Sequence, residues 1–162
     1  MEKIIELSKE YCINSHRNIF RKNGNPYHEH PLRVGDMVSK YTDDLDVIVS
    51  SYLHDVLDNG NGNEKDILNL FNERVLDLIK ELTNDREMIK IQGKKKYLIN
   101  KVNNMSDDSL LIKLCDRYDN LTDDGSKMTY FVETSSIIKS INRPLKDEHL
   151  MVINLIKSIL EN

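Results

Sequence analysis

The stretch Asp46-Val47-Ile48-Val49-Ser50-Ser51-Tyr52-Leu53-His54-Asp55-Val56-Leu57 decides the fold. Its apolar residues recur at helical spacing but on nearly every side, so a helix made from it has no broad face left for water. Such a helix is central and buried, and the rest of the chain has to be built around it. Asp44 or Asp46 starts it, and Asn59-Gly60-Asn61-Gly62 stops it. Toward the amino terminus, residues 31–41 read as a short helix with Pro31 in its opening turn, where a missing N–H does least harm. A first helix carries a stripe of Ile4, Ile5, Tyr11, Cys12 and Ile19 and ends before Asn23-Gly24-Asn25-Pro26. Toward the carboxyl terminus, helical patterns cover 64–82, with a break near Asn72, and 86–102. Ser106, followed by Asp107 and Asp108, caps a run of Leu110, Leu111, Ile112, Leu114, Cys115, Tyr118 and Leu121. Two last helices, 128–141 and 146–160, flank Asn142-Arg143-Pro144. Strict period-two alternation is nearly absent, so the expected fold class is all-α. The absence of a linker or repeat leads to one domain over 1–162.

Composition narrows the function. The chain has 162 residues, 39% of them hydrophobic and 31% charged, which is enough to bury a core without disulfides or a structural metal. No apolar run approaches the roughly 20 residues needed to cross a bilayer, and the amino terminus enters an amphipathic pattern with no secretory h-region. The expectation is a cytoplasmic protein without a membrane. Cys12 and Cys115 each sit inside an apolar helical pattern and read as buried thiols. A net charge of -4 argues against a nucleic-acid partner. A small anion needs only a local basic cluster, for which Arg17, Arg21 and Lys22, or Lys94-Lys95-Lys96, are candidates. The plainer reading of the lysine triplet is a solvated helix face. Oligomeric state is left open.

A histidine and a carboxylate at the end of a buried helix carry a desolvation penalty unless something pairs with them. On a helix, His54 would stack over Asp58 and Asp55 over Asn59, giving one polar patch on the last turn. Metal ligation and simple capping both account for that patch. His30, immediately before Pro31, brings a second imidazole to a helix start, in keeping with a mixed nitrogen and oxygen site. Asp116 lies on a stripe with Ser109, Lys113 and Asn120, opposite Leu111, Leu114, Cys115 and Tyr118. Periodicity does not say whether that stripe faces water or a cleft.

The order His30, His54-Asp55, Asp116 resembles the pattern of HD-domain phosphohydrolases. More closely, Asn25-Pro-Tyr-His-Glu-His30-Pro-Leu-Arg-Val, Ser51-Tyr-Leu-His54-Asp55-Val-Leu-Asp58 and Leu111-Ile-Lys-Leu-Cys-Asp116-Arg-Tyr-Asp-Asn120-Leu121 are similar to the hydrolase segments of Rel/Spo proteins and small alarmone hydrolases. The resemblance implies a helical bundle of about eight helices around one Mn²⁺, and removal of the 3′ pyrophosphate from (p)ppGpp. It implies metal ligation by His30, His54, Asp55 and Asp116. It also implies substrate contacts by Arg21, Lys22, Asn120 and Tyr130. The family's arginine one turn before that tyrosine is Ser126 here, so Lys127 has to supply its charge.

One departure bears on rate. Where these hydrolases show Glu-Asp after the His-Asp pair, this chain has Asp58-Asn59. Asp58 keeps a carboxylate to orient or deprotonate a water, while Asn59 has no basic oxygen to accept a proton. The resemblance therefore leaves three further possibilities. One is an HD phosphohydrolase acting on a nucleoside monophosphate or NADPH. Another is a nucleotide-binding regulator with weakened catalysis. The last is a helical interaction module with no site.

Overall fold

Capping residues and buried stripes set the helices of the first of two compact units, Met1–Thr83 and Asn84–Asn162, in a computed structural model that describes residues 1–123 and 128–162. The first unit contains α1 (Glu2–Ser15), α2 (Glu29–Val38), α3 (Leu45–Leu53), α4 (Glu64–Leu70) and α5 (Glu73–Leu82). Every residue from Val47 to Leu53 is buried, as an all-round apolar helix requires. Helices α1, α2 and α5 pack on α3, and α4 packs on α5. Cys12, Val49, Leu53, Val56, Ile67, Val75 and Ile79 form their common core.

The second unit contains α6 (Arg86–Gln92), α7 (Lys94–Asn104), α8 (Asp107–Thr122), α9 (Met128–Lys139) and α10 (Asp147–Leu160). Here α8 packs on α10 and α9, and α7 packs on α6 and α9. The Ser106 hydroxyl accepts from the Ser109 N–H at 3.2 Å, the cap expected for α8.

The all-α expectation is borne out, with ten helices and no strand among the described residues, and one isolated bridge between Phe20 and Pro26. Among those residues no helix is long and apolar enough to cross a membrane. The pattern over 86–102 is two helices rather than one, because Gly93 adopts a φ of 84°, in the left-handed region that favours glycine. The expected break near Asn72 is a start: its side chain accepts from the Val75 N–H at 2.9 Å and caps α5.

Three helices stop earlier than periodicity suggests. Helix α1 ends at Ser15, leaving Ile19 outside it, and α2 ends at Val38. Helix α3 ends at Leu53 rather than Leu57 because the chain turns back on itself. The Gly62 N–H takes the Val56 carbonyl (2.9 Å) and the Asn61 N–H reaches the Ser15 carbonyl (2.8 Å).

Helices α2 and α3 approach closely at Gly35. A Cβ there would stand 2.1 Å from Tyr52 Cδ1, and Tyr52 is buried and held by its hydroxyl donating to Asp36 (2.7 Å). Gly35→Ala should therefore destabilise by about 1–3 kcal/mol despite the better helix propensity of alanine, read as a lower melting temperature.

Asp44 caps α3 by accepting from the Asp46 and Val47 N–H groups, and Arg74 from α5 donates to both its oxygens at 2.9 and 2.8 Å. The Arg74 hydrogen bond holds the Asp44 carboxyl below the usual carboxylate range, outweighing partial burial. Both side chains are more than a third exposed, so the cap outweighs the ion pair in stability. Asp44→Ala should cost about 1 kcal/mol at neutral pH. A depressed folded pKa stabilises above the unfolded value and is lost as pH falls through the folded one. Urea melts of both proteins should accordingly converge in strongly acidic solution.

Candidate functional site

Two imidazoles meet one carboxylate where α2 begins and α3 ends. His30 lies in the first turn of α2 and is buried; His54 follows the last residue of α3 and is also buried. His54 Nδ1 is 2.7 Å from the Ser51 carbonyl oxygen. A carbonyl only accepts, so the proton sits on Nδ1, and in the neutral ring Nε2 presents its lone pair. That Nε2 is 3.4 Å from Asp55 Oδ2, and His30 Nε2 is 3.6 Å from the same oxygen. The two rings are 5.4 Å apart at 77°.

A lone pair directed at a carboxylate oxygen is repulsive unless a positive charge stands between them or the ring is protonated. A divalent cation supplies such a charge. Imidazole nitrogens and carboxylate oxygens form a donor set that suits manganese, iron or zinc, and a ligating histidine characteristically donates its other N–H to a carbonyl. The residues of the first unit therefore fit a metal ion.

The expected stacking of His54 over Asp58 and Asp55 over Asn59 along a helix is not formed as a helix, because α3 has already ended. Residues 54–59 make turns, closed by the Asn59 N–H donating to the Asp55 carbonyl at 2.9 Å. Asp58 is half-buried and Asn59 exposed.

Tyr27 is a participant that sequence reasoning missed. Its hydroxyl donates to Asp55 Oδ2 at 2.9 Å, its ring stacks on buried His16 at 5.0 Å, and the Arg21 guanidinium stands 5.5 Å from its ring centre. Burial pushes the His16 imidazole below its ordinary value. Nothing in spacing joins residue 27 to residue 55; the only signal was that Tyr27 lies within the His30 motif. Lys22, beside Arg21, is exposed. Cys12 is not a nucleophile here: burial, followed by the Asp55 charge, pushes its thiol up to about 12.

In the second unit, the polar stripe of α8 is not a water-facing surface. Ser109 is buried and Asp116 only 6% exposed. Lys113 donates to Asp116 Oδ2 at 2.7 Å and Asn120 to Oδ1 at 3.0 Å, fixing both oxygens. Burial opposes the Lys113 charge, but the Asp116 carboxylate overrides it and raises the ammonium above its ordinary range. Burial likewise raises the Tyr130 phenol, while Asn120 hydrogen-bonds to it. Tyr130 and Asn120 thus join Asp116 in one cluster.

Arg117 is the second residue that sequence reasoning missed. It is buried, 4.7 Å from the Tyr130 ring centre, and donates to Glu133 at 2.8 Å and Thr134 at 3.1 Å. A charged residue inside the buried run of α8 was the available signal. Lys94 pairs with the other Glu133 oxygen at 3.5 Å, and Lys94, Lys95 and Lys96 are all exposed. Lys127 lies outside the described residues.

A helical chain carrying paired buried imidazoles beside Asp55, and a buried carboxylate, Asp116, within α8, belongs to a recognisable class. The family model for the HD domain matches residues 9–127, and the chain belongs to that family. Its relatives include guanosine-3′,5′-bis(diphosphate) 3′-pyrophosphohydrolase MESH1 of Drosophila melanogaster, 32% identical over 118 residues, covering 70% of this chain and 65% of the fly protein. A guanosine-3′,5′-bis(diphosphate) 3′-pyrophosphohydrolase of Aquifex aeolicus is 32% identical over 126 residues, 72% of this chain and 17% of that protein. The chain thus spans less than two thirds of the length of these relatives. A solved structure described as a metazoan ortholog of SpoT that hydrolyzes ppGpp superposes with a TM-score of 0.80 at 24% identity, covering 96% of this chain and 94% of that one. The lmo0812 structure from Listeria monocytogenes gives 0.66 at 21% identity, covering 86% and 98%. These two likenesses establish the fold.

Removing Arg117 would leave Glu133 without its nearest cation beside an apolar core. Arg117→Ala should destabilise by about 3 kcal/mol or more, measured by equilibrium urea unfolding.

Proposed function

We propose that this chain is a metal-dependent (p)ppGpp 3′-pyrophosphohydrolase, with one divalent ion, Mn²⁺, held by His30, His54, Asp55 and Asp116. The observation that carries the reading is the pair of imidazole Nε2 atoms directed at one oxygen of Asp55, with the His54 tautomer set by the Ser51 carbonyl. The family match runs continuously through all four residues. The curated relatives named above carry this activity in their names.

When bound, the ion polarises a phosphoryl oxygen and makes water more acidic. The chain's own residues do the rest. Arg21, held over Tyr27, and the exposed Lys22 neutralise phosphate oxygens, and Asn120 and Lys113 fix the Asp116 carboxylate. Tyr130 contacts the nucleotide beside Arg117, with Lys127 adding charge. Asp58 orients a water and accepts its proton as the water oxygen bonds to the phosphorus on O3′. The P–O3′ bond breaks and O3′ takes up a proton, so ppGpp and water give GDP and pyrophosphate. Asn59 contributes no base.

Incubation with ppGpp and Mn²⁺ followed by ion-exchange chromatography should show GDP and pyrophosphate. His54→Ala should lose both metal and turnover, and Asp58→Asn should lower kcat by roughly 100-fold. Turnover of a nucleoside monophosphate or NADPH with ppGpp untouched would move the activity to another HD phosphohydrolase. Nucleotide binding without turnover, restored by Asn59→Asp, would make the protein a regulator.

A further inference from the structure

Asp55 poses a problem of orientation before any ion arrives. Its Oδ2 faces the Nε2 atoms of His30 and His54, and its side chain is 15% exposed, so the carboxylate borders on water. The Tyr27 hydroxyl donates to that same Oδ2 at 2.9 Å and favours the inward orientation. Tyr27 is itself closely fixed. Its N–H donates to the Ile19 carbonyl at 2.9 Å, and its ring lies 5.0 Å from His16 at only 17°. His16 is tied to α1 through Nδ1, 2.8 Å from the Cys12 carbonyl. The ring also stands edge to face with His30 at 6.3 Å and beneath the Arg21 guanidinium.

We propose that Tyr27 is a positioning residue that presets Asp55 for metal binding and, through its ring, ties that carboxylate to the anion-binding Arg21. The inference rests on the reading of Asp55 as a ligand. A hydrogen bond from a side chain fixed on both backbone and ring removes the rotational freedom that Asp55 would otherwise lose on ligation. Because the ring touches His30 as well, one side chain sets the approach of two ligands.

The test compares the full-length wild type with Tyr27→Phe, which keeps the ring and removes only the hydroxyl. Free Mn²⁺ is counted by electron paramagnetic resonance during titration, and the metal-free melting temperature of each protein is recorded. The expected result is about 10-fold weaker Mn²⁺ binding in the variant, with a metal-free melting temperature close to wild type. Unchanged Mn²⁺ affinity overturns the proposal, and unchanged affinity with a lower metal-free melting temperature assigns Tyr27 a purely structural role. A wild type that binds Mn²⁺ but leaves ppGpp intact would sink the proposed activity while the Tyr27 result stands by itself. A wild type that binds no Mn²⁺ would overturn both.

Discussion

The first unit depends on one electrostatic constraint: two buried imidazole nitrogens stand 3.6 and 3.4 Å from one carboxylate oxygen, and the lone pair that His54 turns toward it calls for a cation or a proton between them. That constraint fits a buried α3 that ends at Leu53 with His54 and Asp55 just beyond it. A helix buried on every side carries charged groups at its ends, where the chain can turn and the side chains can find partners. Ser51 serves both requirements, since its hydroxyl returns to the Ile48 carbonyl at 2.6 Å while its own carbonyl fixes the His54 ring. Buried small residues on α1, Ser8, Cys12 and Ser15, form the stripe facing the interior of this unit, and His16 follows directly from them.

Much of this was legible in the sequence because the period of apolar residues reports which helix faces are buried in a core. The all-round apolar run at 47–53, the Ser106 cap and the break at Asn72 all follow from local chemistry. Helix ends were less legible. The stop at Leu53 depends on main-chain bonds from Asn61 and Gly62 to partners that composition does not reveal, and the split at Gly93 depends on a backbone angle. The site divides along similar lines. His30, His54 and Asp55 were picked out by residue type at helix ends, whereas the burial of the Asp116 stripe was undecidable from period alone. Tyr27 and Arg117 escaped because their roles are defined by partners 28 and 16 residues away.

The departure at Asp58-Asn59 falls where the scaffold tolerates it. What position 59 gives the turn is its main-chain N–H, bonded to the Asp55 carbonyl, and this bond is indifferent to the side chain. The asparagine side chain points outward into solvent, so exchanging it for a carboxylate leaves the packing of α3 and the orientation of His54 untouched. Its effect is electrostatic. Under the proposed hydrolysis, one negative charge fewer at position 59 lowers repulsion toward a polyphosphate substrate and removes a candidate proton acceptor. Under that proposal, binding and turnover are pushed in opposite directions at a single position. On the proposed reading, the chain keeps the arrangement of His30, His54 and Asp55 while its balance between holding and hydrolysing a nucleotide shifts.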